Sequence, residues 1–326
     1  MTPYTILQLK YLGLAFLVAG ILFWGTGRSK TLRASLILRL IVTEALLGGG
    51  GAVVFLSLAS QFAMTRAFGV VAVLFYGGAL WMPLFALFSA RRGTQTRLVG
   101  VLAALLVLAL GFDSFFLEPN RLVLREERMP LAGWTEERPF RLVHVSDLQT
   151  VGRCFRENRA VRMVNGLKPD LIVVTGDFVS GPWSDPGPAV EAARAFHGAL
   201  RARLGVVLIP GHSEPDRVRE DVVRDLGVTY LVNGDLRFPL GGGRELVLWG
   251  IDSIYPELPP ADLRKNPDDF VVVASHVPDF ILQLEEHDFD LHLAGHTHGG
   301  QVVIPGFGPP LTLSKLPREY ASGMRR

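Results

Sequence analysis

The chain has 326 residues, of which 49% are hydrophobic and 20% charged, with a mean hydropathy of +0.30. This apolar content excludes a disordered chain, and a single cysteine excludes an intrachain disulfide framework. Residues 1–117 carry nine Lys or Arg and two acids, whereas residues 118–326 carry 24 basic and 29 acidic groups. Because the second part is acidic and has no basic patch with interleaved aromatic residues, nucleic acid is excluded as a partner.

The first 117 residues contain four apolar runs long enough to be membrane spans. A helix needs about 20 apolar residues to cross roughly 30 Å of hydrocarbon. The predicted spans cover about residues 11–27, 45–65, 67–89 and 98–117. A buried helical bundle in a soluble protein is the alternative, but these runs leave almost no polar face. The pattern therefore predicts a four-helix transmembrane region with the lipid bilayer as its partner.

The basic residues between the spans predict the orientation. The loops after the first and third spans carry four and three Lys or Arg, respectively. By the positive-inside bias these loops are cytoplasmic. We therefore expect a multi-pass protein of a bacterial cell membrane whose carboxyl-terminal domain, at 140–326, is extracytoplasmic and follows a linker at 118–139.

From residue 140 onward, short apolar runs alternate with helical periods. Strands are predicted at 140–145, 171–174, 206–209, near 230–232, at 245–249, 270–274 and 291–294, and helices at 158–167, 189–204 and near 216–226. Continuous apolar strands separated by helices indicate a sheet that is covered on both faces. The second part of the chain is therefore predicted to be an α/β sandwich.

Carboxylates and imidazoles follow five of these strands directly. They are Asp147 with Gln149, Asp177, His212 with Ser213, His276, and His296 with His298. Ligand sites of open α/β sheets form at the carboxyl edge, so we expect these side chains to converge. Oxygen and nitrogen ligands without thiolate suit Mn, Fe, Zn or Mg.

The motifs at these strand ends resemble those of the calcineurin-like metallophosphoesterases. The matching pieces are Val145-Ser-Asp, Thr175-Gly-Asp, Gly211-His-Ser-Glu, Ser275-His and Gly295-His-Thr-His-Gly-Gly-Gln. The resemblance covers about Phe140–Pro310. It is closest to the membrane-associated branch, which includes UDP-2,3-diacylglucosamine diphosphatases and exported phosphodiesterases.

This resemblance implies a four-layer α/β/β/α fold and a site for two divalent metal ions. It makes Asp177 a ligand of both ions. It assigns Asp147, Gln149 and His298 to one ion and His212, His276 and His296 to the other. It also implies catalytic roles for Asp177, His212 and Ser213.

Two positions depart from the family pattern. Gln149 stands where the family has a histidine ligand, and His212-Ser213 stands where it has Asn-His. A glutamine carbonyl coordinates a hard cation more weakly than imidazole does. Serine donates no proton near neutral pH, and general acid catalysis is worth about 10²–10⁴ in rate. In a shifted alignment His212 would be the acid, but that breaks the Gly-Asn register.

The sequence therefore favours a membrane-anchored, dinuclear metal-dependent phosphoesterase. Its expected substrate is a phosphodiester or diphosphate of an envelope lipid or lipid-linked compound. One alternative is a degenerate, metal-retaining pseudoenzyme or binding module. Another is a transporter, which the lack of paired charges within the spans disfavours.

The remaining histidines are interpreted structurally. We expect His144 and His292 to lie in the core or to support the site. His197 and His287 are predicted to be solvated helix residues.

Overall fold

The computed structural model describes residues 117–130, 138–152, 155–180, 183, 185–284, 287–300, 303, 306–309 and 312–325, together with 98, 102, 105, 106, 109, 112 and 113. The predicted spans at 11–27, 45–65 and 67–89, and most of the span at 98–117, lie outside these residues. No helix within the described part is both long and apolar enough to cross a membrane. The chain divides into two compact units, Met1–Arg121 and Leu122–Arg326, and the fold below belongs to the second.

The first sheet is parallel throughout. Its strands are β1 (Leu142–Ser146), β2 (Leu171–Thr175), β3 (Val206–Ile209) and β4 (Thr229–Tyr230), in the order β1-β2-β3-β4. Parallel neighbours need crossover connections, and these contain α1 (Phe155–Gly166), α2 (Gly187–Ala199) and α3 (Asp216–Val223). The carboxyl ends of β1, β2 and β3 therefore share one edge.

The second sheet is mixed, in the order β5-β6-β7-β8. It contains β5 (Gly234–Gly241), β6 (Arg244–Ile251), β7 (Phe270–Ser275) and β8 (Leu291–Leu293). The hairpin β5–β6 is antiparallel and the other pairings are parallel. The sequence reading missed β5, which contains Pro239 and lies at the sheet edge, where a strand tolerates proline.

Three apolar clusters define the layers. The helices pack on the first sheet around Phe178 and Phe196, and the two sheets pack on each other around Ile209 and Leu248. The outer face of the second sheet is covered by the segment 252–269 and the 3₁₀ helix Pro278–Gln283. Helices therefore flank the two sheets as predicted. Within the described residues, the last layer holds the short 3₁₀ helix and an irregular, proline-rich segment instead of a long α-helix.

The described linker residues are tied to the domain at two places. Residues 121–130 form neither helix nor strand, and the Arg125 guanidinium donates to Ser322 Oγ at 2.7 Å. Farther along the chain, Arg138 donates two hydrogen bonds, at 2.6 and 3.0 Å, to the buried carboxylate of Asp170. The first contact lies near the loop after β8, since Thr297 Oγ1 donates to Ala321 O.

The prediction for His197 is wrong. Its ring is completely buried in α2 and packs edge-on against Phe178 and Phe196 at centroid distances of 5.0 and 5.3 Å. Burial in this apolar setting lowers the pKa of His197 to about 3. His287 lies outside any described helix, in a bend after the 3₁₀ helix.

Candidate metal centre

The site lies where strands of both sheets end. β1, β2 and β3 of the first sheet and β7 and β8 of the second lead into the loops that carry the seven predicted ligands. Five of these residues have left-handed backbone, namely Asp147, Gln149, Asp177, His296 and His298, with φ between 40° and 71°. Such conformations are costly for residues other than glycine and cluster at functional sites. The sequence pattern predicted the positions of these residues but not their backbone strain.

Asp177 is the most enclosed carboxylate of the site, with 2% of its surface exposed. Its Oδ1 accepts hydrogen bonds from the amides of His212 and Ser213 at 3.0 and 3.2 Å. Its Oδ2 lies 3.2 Å from both Gln149 Nε2 and His276 Nε2. Burial alone would raise the pKa of Asp177, but interactions with His212 and His276 outweigh it and hold the pKa far below its usual range. The carboxylate therefore stays ionised.

A glycine permits this close approach. A Cβ at Gly211 would overlap the backbone nitrogen and Oδ1 of Asp177. The Gly-His-Ser turn after β3 can therefore direct two backbone amides at the carboxylate only because residue 211 has no side chain.

Three imidazoles form the first half of the site. The rings of His212, His276 and His296 have centroid distances of 4.7–5.3 Å. His276 Nδ1 donates to Thr175 O at 2.9 Å, so its Nε2 faces the carboxylates. Burial alone would lower the pKa of His276, but Asp177, and to a lesser extent Asp147, raise it to about 9.

His296 is oriented in the opposite sense. Its Nε2 donates to Leu313 O at 3.1 Å, which leaves Nδ1 as the ring nitrogen without a proton. Burial, followed by the charges of His212 and His276, lowers its pKa.

Asp147, Gln149 and His298 form the second half. His298 Nε2 lies 3.4 Å from Asp147 Oδ1 and 3.3 Å from Gln149 Nε2. Gln149 thus directs its amide nitrogen at both His298 and Asp177. To coordinate a cation through oxygen, this amide must turn over, and the orientation of an amide is set by its hydrogen-bond partners.

The donor atoms are placed as a divalent cation requires. The ligand atoms of His212, His276 and His296 lie within 4.8 Å of one another, as do those of Asp147, Asp177 and His276. His276 Nε2 and His212 Nδ1 lie 3.2 and 3.5 Å from the carboxylate oxygens of Asp177, and they and Ser213 Oγ are buried without a well-formed hydrogen bond. Because buried polar atoms normally have a partner, the residues present fit bound cations.

Several residues support the site from the ends of the strands. Ser146 Oγ donates to Asp147 Oδ2 and Thr175 O at 2.6 and 2.7 Å, and its place in the Val-Ser-Asp motif was the available signal. His144 is exposed, not buried in the core, and its Nε2 lies 2.7 Å from Thr175 Oγ1. His292 is half-buried, and its Nε2 lies 2.7 Å from Ser275 Oγ. Both histidines therefore contact the strand ends that carry the site.

Glu214 is a second buried acid beside the site, with 1% of its surface exposed. Its Oε1 accepts a hydrogen bond from the Val179 amide at 2.9 Å, and Oε2 has no partner. Burial, and then the charge of Asp177, raise the pKa of Glu214 to about 7. Its chemistry was not predicted from the sequence.

Comparison with known proteins gives a family match over the part of the chain that carries this site. The family model for calcineurin-like phosphoesterases matches residues 140–300. An uncharacterized metallophosphoesterase of Bacillus subtilis, YkuE, is 29% identical over 187 residues, which cover 55% of this chain and 61% of that protein.

Two further relatives are similar over about half of this chain. A Bos taurus transmembrane protein with a metallophosphoesterase domain is 31% identical over 189 residues, covering 50% of this chain and 41% of the relative. Phosphodiesterase YaeI of Escherichia coli is 29% identical over 168 residues, covering 48% of this chain and 58% of that protein. The matched part thus spans 41–61% of the lengths of these three relatives.

Proposed function

Because residues 140–300 form a calcineurin-like metallophosphoesterase domain, we propose that this protein is a metal-dependent hydrolase of a phosphodiester or diphosphate bond. The observation that carries the proposal is the convergence of carboxylates and imidazoles on Asp177, with His276 Nε2 and His212 Nδ1 buried beside its carboxylate without a well-formed hydrogen bond. This arrangement suits cations better than it suits a purely structural polar cluster.

We assign the site two divalent ions, drawn from Mn, Fe, Zn and Mg. His212, His276 and His296 would hold one, Asp147, Gln149 and His298 the other, and Asp177 lies between the two sets. When bound, such a pair would supply a nucleophile at neutral pH and would stabilise charge on the phosphoryl oxygens.

The chain's own groups set the conditions for this chemistry. The depressed pKa of Asp177 keeps a negative charge between the two ligand sets. The hydrogen bond from His276 Nδ1 to Thr175 O fixes the tautomer that offers Nε2 to a ligand. Ser213 supplies no proton to a leaving group. The reaction therefore favours leaving groups that depart without protonation, such as a phosphate or an acidic alcohol.

The proposed substrate is an envelope lipid or a lipid-linked phosphate compound. The four predicted spans support attachment to a bacterial cell membrane, with the domain on the extracytoplasmic side. The similarity to a protein named as transmembrane supports the same proposal. The net negative charge of residues 118–326 argues against nucleic acid.

The test is made on the full chain in non-ionic detergent. Metal content per chain and hydrolysis of bis(p-nitrophenyl) phosphate are measured for the wild type, Asp177→Asn and, as a control, the exposed Asp262→Asn. Asparagine tolerates the left-handed backbone at 177, so the substitution removes the charge without straining the turn. We expect this variant to lose bound metal and to hydrolyse the diester at least about 10³-fold more slowly, which would show that the carboxylate is required. Stoichiometric metal without turnover above the Asp177→Asn variant would contradict the proposal.

That last outcome would favour a metal-retaining binding module. The observation that supports this second candidate is the pair of departures at Gln149 and Ser213, because they weaken one ligand set and remove the proton donor.

A further inference from the structure

A cavity of about 560 Å³ lies beside the metal centre. Residues 307, 309, 312–315 and 318 form most of its wall, and Asp279 lines it from the 3₁₀ helix after β7. The cavity adjoins the site because Leu313, another lining residue, accepts the hydrogen bond from His296 Nε2 through its carbonyl.

Two cationic side chains line this cavity, Lys315 and Arg318. Within the described part of the chain neither forms a salt bridge with a carboxylate. The guanidinium carbon of Arg318 lies 4.2 Å from the ring centroid of Phe307. Stacking on an aromatic face leaves the edge of a guanidinium free to donate hydrogen bonds.

The one carboxylate in the lining is already used. Asp279 accepts hydrogen bonds from the Ser314 hydroxyl and, at 3.0 and 3.1 Å, from the Lys315 amide. It therefore fixes the Ser314–Lys315 turn, and the formal charge of the cavity is +1.

The cavity wall is also joined to the loop that carries the metal ligands. Thr297, between His296 and His298, donates through Oγ1 to Ala321 O at 2.8 Å, at the end of the 3₁₀ helix that begins with Arg318. Phe307 and Leu313 are 53% and 43% exposed, so an apolar surface accompanies the two cations. Charge and apolar surface are thus held at a fixed place beside the site.

We infer that this cavity binds a second anionic group of the substrate, on the part that is not attacked. The substrate class is then an amphiphile with one phosphoryl group at the metal centre, another anion at Lys315 and Arg318, and apolar atoms on Phe307 and Leu313. The inference rests on the proposed function and narrows its substrate. Two unpaired cations on a cavity that adjoins the reacting centre select for such a ligand by charge complementarity.

The first test uses matched substrates with one leaving group. They are p-nitrophenyl alkyl phosphates whose chains of two to eight carbons end either in a methyl group or in a phosphonate. For the best chain length, kcat/KM of the phosphonate should exceed that of its methyl twin by roughly 10- to 100-fold, the range expected for charge-assisted hydrogen bonds. This difference should appear as a lower KM for the phosphonate-ended substrate.

Variants identify the source of this preference. Lys315→Ala/Arg318→Ala should lose it while still hydrolysing the methyl-ended diester. The control, Lys265→Ala/Arg162→Ala, removes the same charges from exposed positions outside the cavity lining and should keep the preference. A preference that persists without Lys315 and Arg318, or no preference at any length, would overturn the inference. Failure to hydrolyse either series would instead count against the proposed function.

Binding provides a readout that does not depend on turnover. Hexylphosphonate is titrated calorimetrically into the full chain in excess chelator, which removes metal ions as competing binding sites. We expect the dissociation constant to rise at least about 10-fold in Lys315→Ala/Arg318→Ala and to stay unchanged in the control variant. Equal affinity in all three proteins, or no binding to the wild type, would also overturn the inference.

Discussion

The backbone amide of His296 donates to both carboxylate oxygens of Asp147, at 3.2 and 2.9 Å, although 149 positions separate the two residues. Asp147 follows β1 in the first sheet and His296 follows β8 in the second. The contact therefore joins the edges of both sheets. The ligand set depends on how the two sheets dock.

Gly295 makes this contact possible, and Gly295→Ala should disrupt it. A Cβ there would overlap Ser146 Oγ and Asp147 Oδ2. Forced overpacking costs about 1–3 kcal/mol, and here it displaces a ligand carboxylate. We expect at least about 10-fold weaker metal binding, measured by competition with a chelating dye. The control is Gly166→Ala, where a Cβ meets no atom within 4 Å. Unchanged affinity in Gly295→Ala would show that Asp147 needs no fixed position.

Ser213→His should restore a proton donor. The expected gain is roughly 10²–10⁴ in rate for diesters with alkoxide leaving groups and little for p-nitrophenolate, whose departure needs no proton. The measurement is kcat for both substrate types, with Ser213→Ala as the control that should match the wild type. A loss of activity in both variants would show instead that the serine hydroxyl has a role of its own.

Asp170→Asn should destabilise the fold in a pH-dependent way. Burial alone would raise the pKa of Asp170, but hydrogen bonds from Arg138, the Arg141 amide and Arg203 lower it to about 2. An acid with a depressed pKa stabilises the fold above its unfolded pKa of roughly 4, and this contribution is lost as the pH falls toward 2.

At pH 7 we expect the loss to be about 1–2 kcal/mol, since both arginine side chains are half exposed and solvent screens the ion pairs. Urea unfolding from pH 7 to pH 2 measures it, with the exposed Asp262→Asn as control. An equal loss of stability at pH 7 and pH 2 would show that the effect comes from the changed shape of the side chain at 170 and not from its charge.

His197→Leu should stabilise the protein, and more so in acid. Both ring nitrogens of His197 are buried without a hydrogen-bond partner. The unfolded chain takes up a proton below pH 6.5, whereas the folded chain, with a pKa of about 3, does not, so stability falls as the pH drops between these values.

The advantage of the leucine variant should grow by about 2 kcal/mol between pH 8 and pH 5. Thermal unfolding at the two pH values measures this difference. A constant difference would mean that the His197 ring is charged or partnered in the native state. Lys265→Leu, at an exposed position that does not titrate in this range, serves as the control and should show no such growth.

Continuous burial makes a strand easy to predict from its sequence. β2 and β3 are buried at every position, and each appears in the sequence as an unbroken apolar run. β5 was missed because it contains Pro239 and glycines, although Leu236, Phe238 and Leu240 alternate toward the core between the sheets. Its period of two was the available signal.

The burial of His197 could also have been predicted from its spacing in the sequence. Ala189, Ala192, Ala193 and Phe196 define the buried face of α2, and His197 continues the same helical spacing. The prediction of a solvated residue followed the polarity of the imidazole and not its position on the buried face of the helix.

The convergence of the ligands was predictable because parallel strands gather their carboxyl ends at one edge. The left-handed turns at Asp147 and Asp177 were not, because they depend on contacts made across the sheets. The cavity wall formed by residues 307, 309, 312–315 and 318 was not predicted either, since the sequence there has neither helical nor strand periodicity.

The hydrogen bond between Arg125 and Ser322 has a kinetic consequence. It places residue 125 of the linker near the loop that bears His296 and His298, whereas Arg138, farther along the linker, contacts Asp170 before β2. On the proposed attachment of the chain to a bilayer, catalysis would proceed in two dimensions. Turnover would then follow the mole fraction of substrate in the surface, so inert lipid added at constant total substrate would slow it.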